Sequence, residues 1–395
     1  MNNWQVKTLG EYLSLQRGYD LTAEQRTKGN IPVMGAGGQN GTHGVSKASG
    51  PGVIVGRSGS SYGQVYLSEG DFWPHNTSMF VTDFKGNDEY FTYYLLKNLD
   101  FDRLNSGSAQ PSLNRNFIYP VKVRVPKPNE QTKISAVLRA IDQKIELNNR
   151  INAELEAMAK TLYDYWFVQF DFPDTNGKPY KASGGKMVYN DTLKREIPEG
   201  WSDKTLSQIA NITMGQSPAG SSYNEEGTGT IFYQGSTDFG WLFPSTRQYT
   251  TAPSRMAKKG DILLSVRAPV GDMNIANTDC CIGRGLAALN SKTGSDGFLF
   301  YVMKYFKQIF DRRNSEGTTF GSITKNDLHS LTLAYPTADL LEKYDEVVTN
   351  YNKMIFERSL ENRELVNLRD WLLPMLMNGQ VTVKPSTEAQ EAQHG

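Results

Sequence analysis

The chain has 395 residues, and its 42 lysines and arginines balance its 42 aspartates and glutamates. This length predicts two or three domains with sizeable cores. The sequence has no run of 18 apolar residues and no signal-peptide profile at its start, which excludes a membrane-spanning helix and argues against secretion. Because its two cysteines, Cys280 and Cys281, are neighbours and cannot form a disulfide framework, we expect a protein of the reducing cytoplasm that binds no membrane.

Two regions of the chain are rich in glycine, aromatic and β-branched residues. In the first region, residues 52–55 predict a strand and residues 90–99 a helix. In the second, residues 262–264 predict a strand and residues 298–310 a helix. This mixture of short elements predicts two globular domains of the α/β (α+β) class.

A long glycine-free stretch with a seven-residue apolar period follows each region. The first, residues 131–167, would form a helix of ~55 Å at about 1.5 Å per residue, longer than a domain of this size needs. We therefore expect a pair of long antiparallel coiled-coil helices, their register fixed by polar residues at mid-helix. Two amphipathic helices that each pack on their own domain are the alternative. The predicted seam positions are Ile134, Val137, Ile141, Lys144, Asn148, Ile151, Leu155, Met158, Leu162 and Tyr165 in the first stretch, and Tyr344, Val347, Tyr351, Met354, Arg358, Glu361, Leu365, Leu368, Leu372 and Met375 in the second.

The two halves of the chain are divergent copies of one pattern. Residues 4–9 recur as residues 201–206 at an offset of 197, and residues 107–126 recur as residues 317–336 at an offset of 210. Only four of these 20 positions are identical, and six of the others keep their chemistry. The repeat predicts an approximate two-fold symmetry within one chain.

These patterns predict six segments along the chain. Glycines and prolines mark the connection between the halves, and the end of the chain is polar. The segments are a first globular domain (head one, 1–127), a long central helix (128–170), a linker (171–200), a second globular domain (head two, 201–336), a long C-terminal helix (337–379) and a tail (380–395).

The charge distribution permits nucleic-acid binding, and the motifs for catalysis are missing. Residues 1–126 carry 12 basic and 10 acidic side chains, and residues 171–336 carry 18 and 16. The sequence has no phosphate-binding loop, no complete dinucleotide fingerprint, no pair of histidines at zinc spacing and no Asn-Pro-Pro-aromatic motif of an amino-methyltransferase. We expect a chain that is not an enzyme and has no metal site.

Four strings together resemble the DNA-specificity (S) subunit of type I restriction-modification systems. Their order and spacing carry the resemblance, which covers nearly the whole chain. In the second copy Leu340-Leu341 replaces Glu130-Gln131, so that helix start is expected to differ in its cap or partner contact. The strings are Trp4-x-x-Lys7-Thr8-Leu9-Gly10-Glu11, Pro126-x-x-x-Glu130-Gln131-x-x-Ile134, Ser183-Gly184-Gly185-Lys186-Met187-Val188-Tyr189 and Arg195-Glu196-Ile197-Pro198-Glu199-Gly200-Trp201.

The resemblance implies a non-catalytic reader of double-stranded DNA. Each head would be a target recognition domain that binds one half of a split, asymmetric target, and the two long helices would set the spacer. Methylation (M) subunits would dock on the helices and heads, and restriction (R) subunits would complete the complex. The resemblance places S-adenosylmethionine, ATP and Mg²⁺ on those partners and no cofactor on this chain.

Side-chain chemistry selects the candidate contact residues. Glutamine and asparagine suit adenine edges, arginine suits guanine, and phenylalanine suits the thymine methyl group. Tight turns and scattered surface charges are the alternative for these residues, and Tyr62, His75 and Asn76 are expected to make internal hydrogen bonds. The DNA-binding candidates are Arg57, Ser108, Gln110, Asn114, Arg115, Arg267, Arg284, Thr318, Phe320 and Lys325.

An aromatic cluster at the end of the first long stretch is the candidate partner-binding surface, for a methylation subunit or for the opposing end of the second long helix. Tyr163, Tyr165, Trp166 and Phe167 are more aromatic surface than a helix pair requires, and exposed apolar clusters mark partner sites. A competing interpretation of the whole chain is a coiled-coil scaffold or adaptor whose two heads bind proteins. A self-contained DNA-modifying enzyme is disfavoured by the missing motifs.

Overall fold

A computed structural model of the chain describes residues 4–104, 112–315 and 322–384. The chain forms two compact units. Unit one comprises residues 1–148 and 361–395, and unit two comprises residues 149–360. Each unit therefore holds one head and part of each long helix.

Head one contains three small sheets. One is a four-stranded antiparallel sheet in the order β2-β8-β5-β6, one has the order β4-β3-β7, and β1 pairs with β9. Its elements are β1 (Gln5–Thr8), α1 (Leu9–Tyr12), β2 (Ser14–Arg17), β3 (Ile31–Gly35), β4 (Gly38–His43), β5 (Gly52–Gly56), β6 (Val65–Ser68), β7 (Trp73–Pro74), β8 (Ser78–Asp83), α2 (Glu89–Lys97), a 3₁₀ turn (Phe101–Leu104), α3 (Arg115–Ile118) and β9 (Lys122–Val125).

The long helix α4 (Pro128–Tyr163) begins in unit one and continues into unit two, where a π-helical turn follows it (Asp164–Val168). The later helix α8 (Ala338–Met377) begins in unit two and ends in unit one. These bounds agree with the two predicted long helices.

Head two repeats the four-stranded sheet as β13-β21-β18-β19 and adds a five-stranded sheet, β14-β16-β15-β20-β17. The strands of unit two are β10 (Met187–Asn190), β11 (Arg195–Pro198), β12 (Ser202–Thr205), β13 (Ala210–Met214), β14 (Tyr223–Asn224), β15 (Thr230–Tyr233), β16 (Tyr249–Thr250), β17 (Met256–Ala257), β18 (Ile262–Ser265), β19 (Met273–Ile275), β20 (Cys280–Ile282), β21 (Leu286–Ser291) and β22 (Thr332–Tyr335). Its shorter helices are α5 (Leu206–Ile209), α6 (Asp296–Ser315), α7 (Lys325–Ser330) and two 3₁₀ turns (Gly220–Ser222 and Ser236–Asp238).

Strand register reproduces the sequence repeat. Gln5 pairs with Val125 in head one, and Ser202 pairs with Tyr335 in head two. The two pairs are related by the offsets of 197 and 210 found in the sequence. Each first strand leads into a one-turn helix that begins with a capping box, Thr8 with Glu11 and its repeat in head two. The internal repeat is therefore structural as well as sequential.

The predicted linker, residues 171–200, is part of a packed structure. Strands β10 and β11 form an antiparallel hairpin, and Ile197 at its end is buried in the core of unit two. Phe172 stacks on Trp201 with ring centroids 5.4 Å apart. The glycines and prolines here shape this hairpin and its turns.

Within each unit the two long helices pack antiparallel. In unit one, the Arg369 guanidinium donates to Asp142 at 3.0 Å, and the Asn148 amide donates to Glu361 at 2.8 Å. Asn148 is almost fully buried, which confirms the prediction of a buried polar residue at mid-helix. In unit two, Tyr344 donates its hydroxyl to the Ala159 carbonyl at 3.3 Å. The helices contact each other as well as their heads, and supercoiling stays a prediction.

The apolar seam lies one residue away from half of its predicted positions. Ile134, Ile141 and Leu155 are buried as predicted. Leu138 and Ala159 are also buried, at places where their neighbours Val137 and Met158 were predicted. In α8, likewise, Val348, Ile355 and Leu376 are buried, where Val347, Met354 and Met375 were predicted. The buried residues Ile134 and Leu138, and likewise Leu155 and Ala159, are four positions apart, whereas the prediction placed the second residue of each pair three positions after the first. The predicted positions for that half of the seam are therefore wrong.

The aromatic cluster at the end of α4 is mostly core. Tyr163, Trp166 and Phe167 are at most 9% exposed and belong to the hydrophobic core of unit two. Phe167 contacts Phe298 with ring centroids 4.8 Å apart. Tyr163 is the last residue of α4, and Trp166 and Phe167 lie in the π-helical turn that follows it. The predicted exposed surface is therefore wrong for these three residues, and only Tyr165, 37% exposed, remains accessible.

The corrected seam predicts unequal effects of two leucine substitutions in α4. Leu138 is fully buried, so Leu138→Ala is expected to lower the free energy of unfolding of unit one by about 2–5 kcal/mol. Leu147 is 40% exposed, so the matched control Leu147→Ala is expected to change it by less than about 0.5 kcal/mol. Denaturant unfolding followed by circular dichroism measures both, and equal losses would contradict the assigned seam.

Candidate DNA interface

A set of backbone hydrogen bonds joins the strand ends of head one where most of its candidate residues lie. Gly18, just after β2, donates to the Ser78 carbonyl at 3.0 Å. Arg57, just after β5, donates to the Thr77 carbonyl at 2.9 Å and accepts from the Leu113 amide at 2.8 Å. We call this set the frame. Its remaining bonds run from Tyr19 N to Pro74 O (2.8 Å) and from His75 N to Met34 O (2.8 Å).

Head two has the same frame, bond for bond. Gly215 donates to the Leu286 carbonyl at 2.9 Å, and Val266 donates to Gly285 and accepts from Ile323, each at 2.9 Å. The remaining bonds run from Gln216 N to Ile282 O (3.0 Å) and from Gly283 N to Tyr233 O (2.8 Å).

Glycine at the first frame position is a steric requirement. A Cβ atom on Gly18 would lie 2.2 Å from the carbonyl oxygen of His75, and one on Gly215 would lie 2.2 Å from that of Gly283. Only a residue without a side chain permits two backbones to approach so closely. This requirement explains why these two glycines stay in step in the repeat.

The frame and the strand registers fix which residues of the two heads are equivalent. Arg57 and Arg267 both lie just after the corresponding strand but one position apart in the two frames. Asn76, considered only a weak candidate, is equivalent to Arg284. The equivalent positions in heads one and two are Arg17 and Met214, Tyr19 and Gln216, Arg57 and Val266, Ser58 and Arg267, Asn76 and Arg284, and Arg115 and Lys325.

A cavity of about 640 Å³ opens on the frame of head one. Three arginines, Arg17, Arg57 and Arg115, and a single acid, Asp20, line it. Arg17 lies 3.8 Å from Asp20, which also accepts a hydrogen bond from Asn76. The cavity therefore concentrates positive charge.

Arg57 is the cation held most firmly in this cavity. Its backbone is bonded on both sides, and its buried Nε has no hydrogen-bond partner among the described residues. Burial, and then the charge of Arg17, lower the pKa of Arg57. A half-buried donor group without an acceptor is energetically unfavourable until a ligand supplies one.

The rest of the predicted loop is only partly described. Asn114 is exposed, and its side-chain oxygen caps α3 by accepting from the Asn116 amide at 3.0 Å. Arg115 is exposed beside it at the edge of the cavity. The other candidates of the repeated loop, Ser108, Gln110, Thr318 and Phe320, lie outside the described residues.

Head two has a smaller cavity of about 420 Å³ beside its frame. Arg267 lines it and is exposed, and its backbone forms a bridge with Ser322. Arg284 is exposed on the neighbouring turn, where its amide donates to the Ser217 hydroxyl at 3.2 Å. Lys325 is the exposed first residue of α7. These candidates thus lie on or beside the frame.

A polar rim beside the first cavity was missed by the sequence analysis. Gly35 and Gly38 pair across the tight β3–β4 turn, and Gln39 and Asn40 follow it, both exposed. This turn and residues 58–61 line a cavity of about 380 Å³. The sequence signal was a glycine-rich turn next to two amides, which are side chains suited to adenine edges. The three weaker candidates make internal hydrogen bonds, as predicted: Tyr62 to the Phe101 carbonyl, His75 to Thr77, and Asn76 to Asp20.

A further cavity of about 520 Å³ in unit two has the opposite character. Its lysines are neutralised within the protein, Lys160 by Asp164, Lys304 by Glu156 and Lys307 by Asp272. In the described part of the chain no cluster of histidine, cysteine or acidic side chains is suited to hold a metal ion, and no helix there is long and apolar enough to cross a bilayer. The cations of the frame are therefore the clearest candidate contacts.

Two copies of one rigid frame that carry different polar side chains define a protein with two related but non-identical recognition surfaces. A family described as the type I restriction modification DNA specificity domain matches residues 1–157 and 198–353, one match for each half. The chain belongs to this family, the specificity subunits of type I restriction-modification systems.

Individual relatives agree with this assignment. The chain is 30% identical to a putative type I restriction enzyme specificity subunit, MjaX, of Methanocaldococcus jannaschii, over 82% of this chain and 76% of that protein. It is 26% identical to the MjaIX specificity subunit of the same organism, over 74% and 69%. The crystal structure of an S subunit from M. genitalium covers 95% of this chain and 96% of its own, with a TM-score of 0.66 at 20% identity, which supports the fold.

Proposed function

We propose that this chain is the non-catalytic DNA reader of a type I restriction-modification complex, in which each head binds one half of a split, asymmetric target. The single observation that supports this most directly is the frame, which carries three cations in each head but shares only one cationic position, Arg115 and Lys325. Equal backbones would approach DNA in the same way, while different side chains would select different bases. An asymmetric target follows from this difference.

We further propose that α4 and α8 set the spacer between the two halves of the target. Both helices run without a break from one unit into the other, and the 36 residues of α4 correspond to ~54 Å at about 1.5 Å per residue. One turn of B-DNA is ~34 Å, so a rod of this length suits recognition sites more than one turn apart. The antiparallel hydrogen bonds centred on the buried Asn148 would hold the rod in one register.

The methylation subunits of the proposed complex would dock on an exposed apolar stripe of the long helices. Met158 (52% exposed) and Tyr165 lie on this stripe in unit two, and Leu368 (43%) and Trp371 (56%) lie on it in unit one. Met158 and Leu368 are related by the repeat offset of 210, so the same partner would find a similar surface twice. S-adenosylmethionine would be bound by those subunits, and ATP and Mg²⁺ by restriction subunits.

The competing function is a scaffold whose heads bind proteins, and salt dependence of DNA affinity distinguishes it. A DNA reader releases counterions, so the logarithm of its binding constant should fall linearly with the logarithm of the salt concentration. Arg115→Gln and Lys325→Gln are each expected to reduce that slope by about one unit, measured by fluorescence anisotropy on a duplex. Lys186→Gln, whose lysine pairs with Glu199 outside both heads' frames, is the control and should leave the slope unchanged. A flat salt response of the unmodified chain would favour the scaffold.

Lengthening both helices tests the spacer. Duplication of residues 145–151 in α4 and of the facing residues 359–365 in α8 adds one heptad, or ~10 Å, to each helix. The two recognised halves are expected to remain the same and to move apart by about three base pairs, as read by selection from a random duplex library or by methylome mapping. The control lengthens α4 alone, which should misalign the helix pair and destabilise the protein. An unchanged spacer in the doubly lengthened chain would contradict the proposal.

We expect substitutions in the exposed apolar stripe to prevent binding of the methylation subunit. Met158→Asp with Leu368→Asp is expected to abolish co-purification of the methylation subunit, because a desolvated carboxylate in an apolar interface has no partner. The control Ala153→Asp with Arg363→Gln changes the net charge equally, at exposed positions on other faces of the same helices, and should leave assembly intact. Normal thermal unfolding of both variants with equal assembly would refute the stripe as the docking surface.

A further inference from the structure

Two of the three cations of each head lie at frame positions where the other head has no cation. Head one has arginines at positions 17 and 57, where head two has Met214 and Val266. Head two has arginines at 267 and 284, where head one has Ser58 and Asn76.

The backbone at these positions is independent of the side chains it carries. Arg57 and Val266 each donate one frame hydrogen bond and accept another, at distances that agree within 0.1 Å. Val266 is 3% exposed, whereas Arg57 is half-buried at the edge of its cavity. An apolar side chain is thus accommodated at this position in one head and a guanidinium in the other.

The side chains of these arginines retain N–H donors that a ligand could use. Arg57 has no ion pair in the described residues, and its buried Nε has no hydrogen-bond partner there. Arg17 is 58% exposed and lies 3.8 Å from Asp20, which is itself bonded to Asn76. In head two, the acid in the cavity, Asp272, is paired with Lys307 at 3.2 Å, and no described acid forms an ion pair with Arg267 or Arg284. Among the described residues, the Arg57 Nε therefore lacks an acceptor, and Arg267 and Arg284 lack a paired acid, so that a ligand could supply electronegative acceptors to these groups.

Resting on the proposed function, we infer that positions 17 and 57 in head one, and 267 and 284 in head two, determine which bases each half of the target must contain. The shared cation, Arg115 or Lys325, then contacts the phosphate backbone in both heads. The major-groove edge of guanine presents two acceptors, N7 and O6, which a fixed guanidinium binds with two hydrogen bonds. Each head therefore reads acceptor-rich base edges at a place in its half-site where the other head has an apolar or uncharged polar side chain.

Exchange of the residues between the heads tests this inference. One variant, Arg17→Met with Arg57→Val, gives head one the residues of head two, and the other, Arg267→Ser with Arg284→Asn, does the reverse. The full chain, copurified with its methylation subunits, is incubated with a random-sequence duplex library, and the bound duplexes are sequenced. Each variant is expected to lose at least about tenfold discrimination at defined base pairs of one half-site only, and the affected half should differ between the variants.

A conservative variant separates base recognition from charge. Arg57→Lys keeps the positive charge but cannot form the two-pronged contact, so it should lose base discrimination while the salt slope is retained. Because Val266 is accommodated at this position in head two, the exchange variants are expected to fold, which thermal unfolding checks.

Three results would count against the inference. Weakening that is uniform across all sequences, with a smaller salt slope, would mean that these arginines contact phosphates. Unchanged preferences in folded variants would mean that base recognition lies elsewhere in the heads, and either result overturns the inference alone. A wild-type chain that selects no sequence would overturn the proposed function together with it.

Discussion

The structure of each head depends on one close approach between two segments of backbone. At Gly18 and at Gly215 the chain passes a neighbouring carbonyl so closely that a single added carbon atom would lie 2.2 Å from its oxygen. This approach aligns the end of one strand with the following turn, and the other frame hydrogen bonds extend the alignment to the third strand end. Since all of these bonds join main-chain atoms, they place few demands on side-chain identity. The frame can therefore be the same in both heads although the sequences around it have diverged.

The register of the long helices was the part of the fold least accessible from sequence. The apolar period of seven correctly predicted two long helices, but a period of seven is compatible with buried residues three or four positions apart. Val137 and Leu138 are both apolar, as are Met158 and Ala159, so the sequence alone does not decide which member of each pair faces the partner helix. Tertiary packing decides it: Val137 is half-buried, whereas Met158 remains as exposed apolar surface. Three residues of the exposed stripe, Met158, Tyr165 and Leu368, are ones that the heptad pattern had placed in the seam.

The site was predictable as a set of residues but not as an arrangement. Arginines after strands and polar residues beside a loop were visible in the sequence, and Arg57, Arg115, Arg267, Arg284 and Lys325 all lie on or beside the frame. Their equivalence was not visible, because the repeat has an offset of 197 at the start of each head and 210 near its end. Between these positions the backbone hydrogen bonds and the strand registers show that Arg57 corresponds to Val266. The aromatic residues before Phe170 were misplaced for a different reason, since their burial depends on tertiary packing against distant residues such as Phe298.

In each head the main chain forms the frame, and the side chains on it differ. This separation affects how such a protein acquires new specificity. If base preference depended on residues that also support the core, each change of target would alter the free energy of folding, often by 1–3 kcal/mol. The positions that differ between the heads, 17, 57, 267 and 284, instead project from a frame whose bonds are made by main-chain atoms. Substitution there leaves these hydrogen bonds in place, and the hydrophobic clusters of each unit remain closed around the adjoining strands. The two heads of this chain show two arrangements of arginines on the same frame, and the effect on stability depends on the position. Val266, the counterpart of Arg57, is 3% exposed within the hydrophobic cluster of unit two, so an arginine there would lose core packing, whereas position 267 is exposed and would lose none.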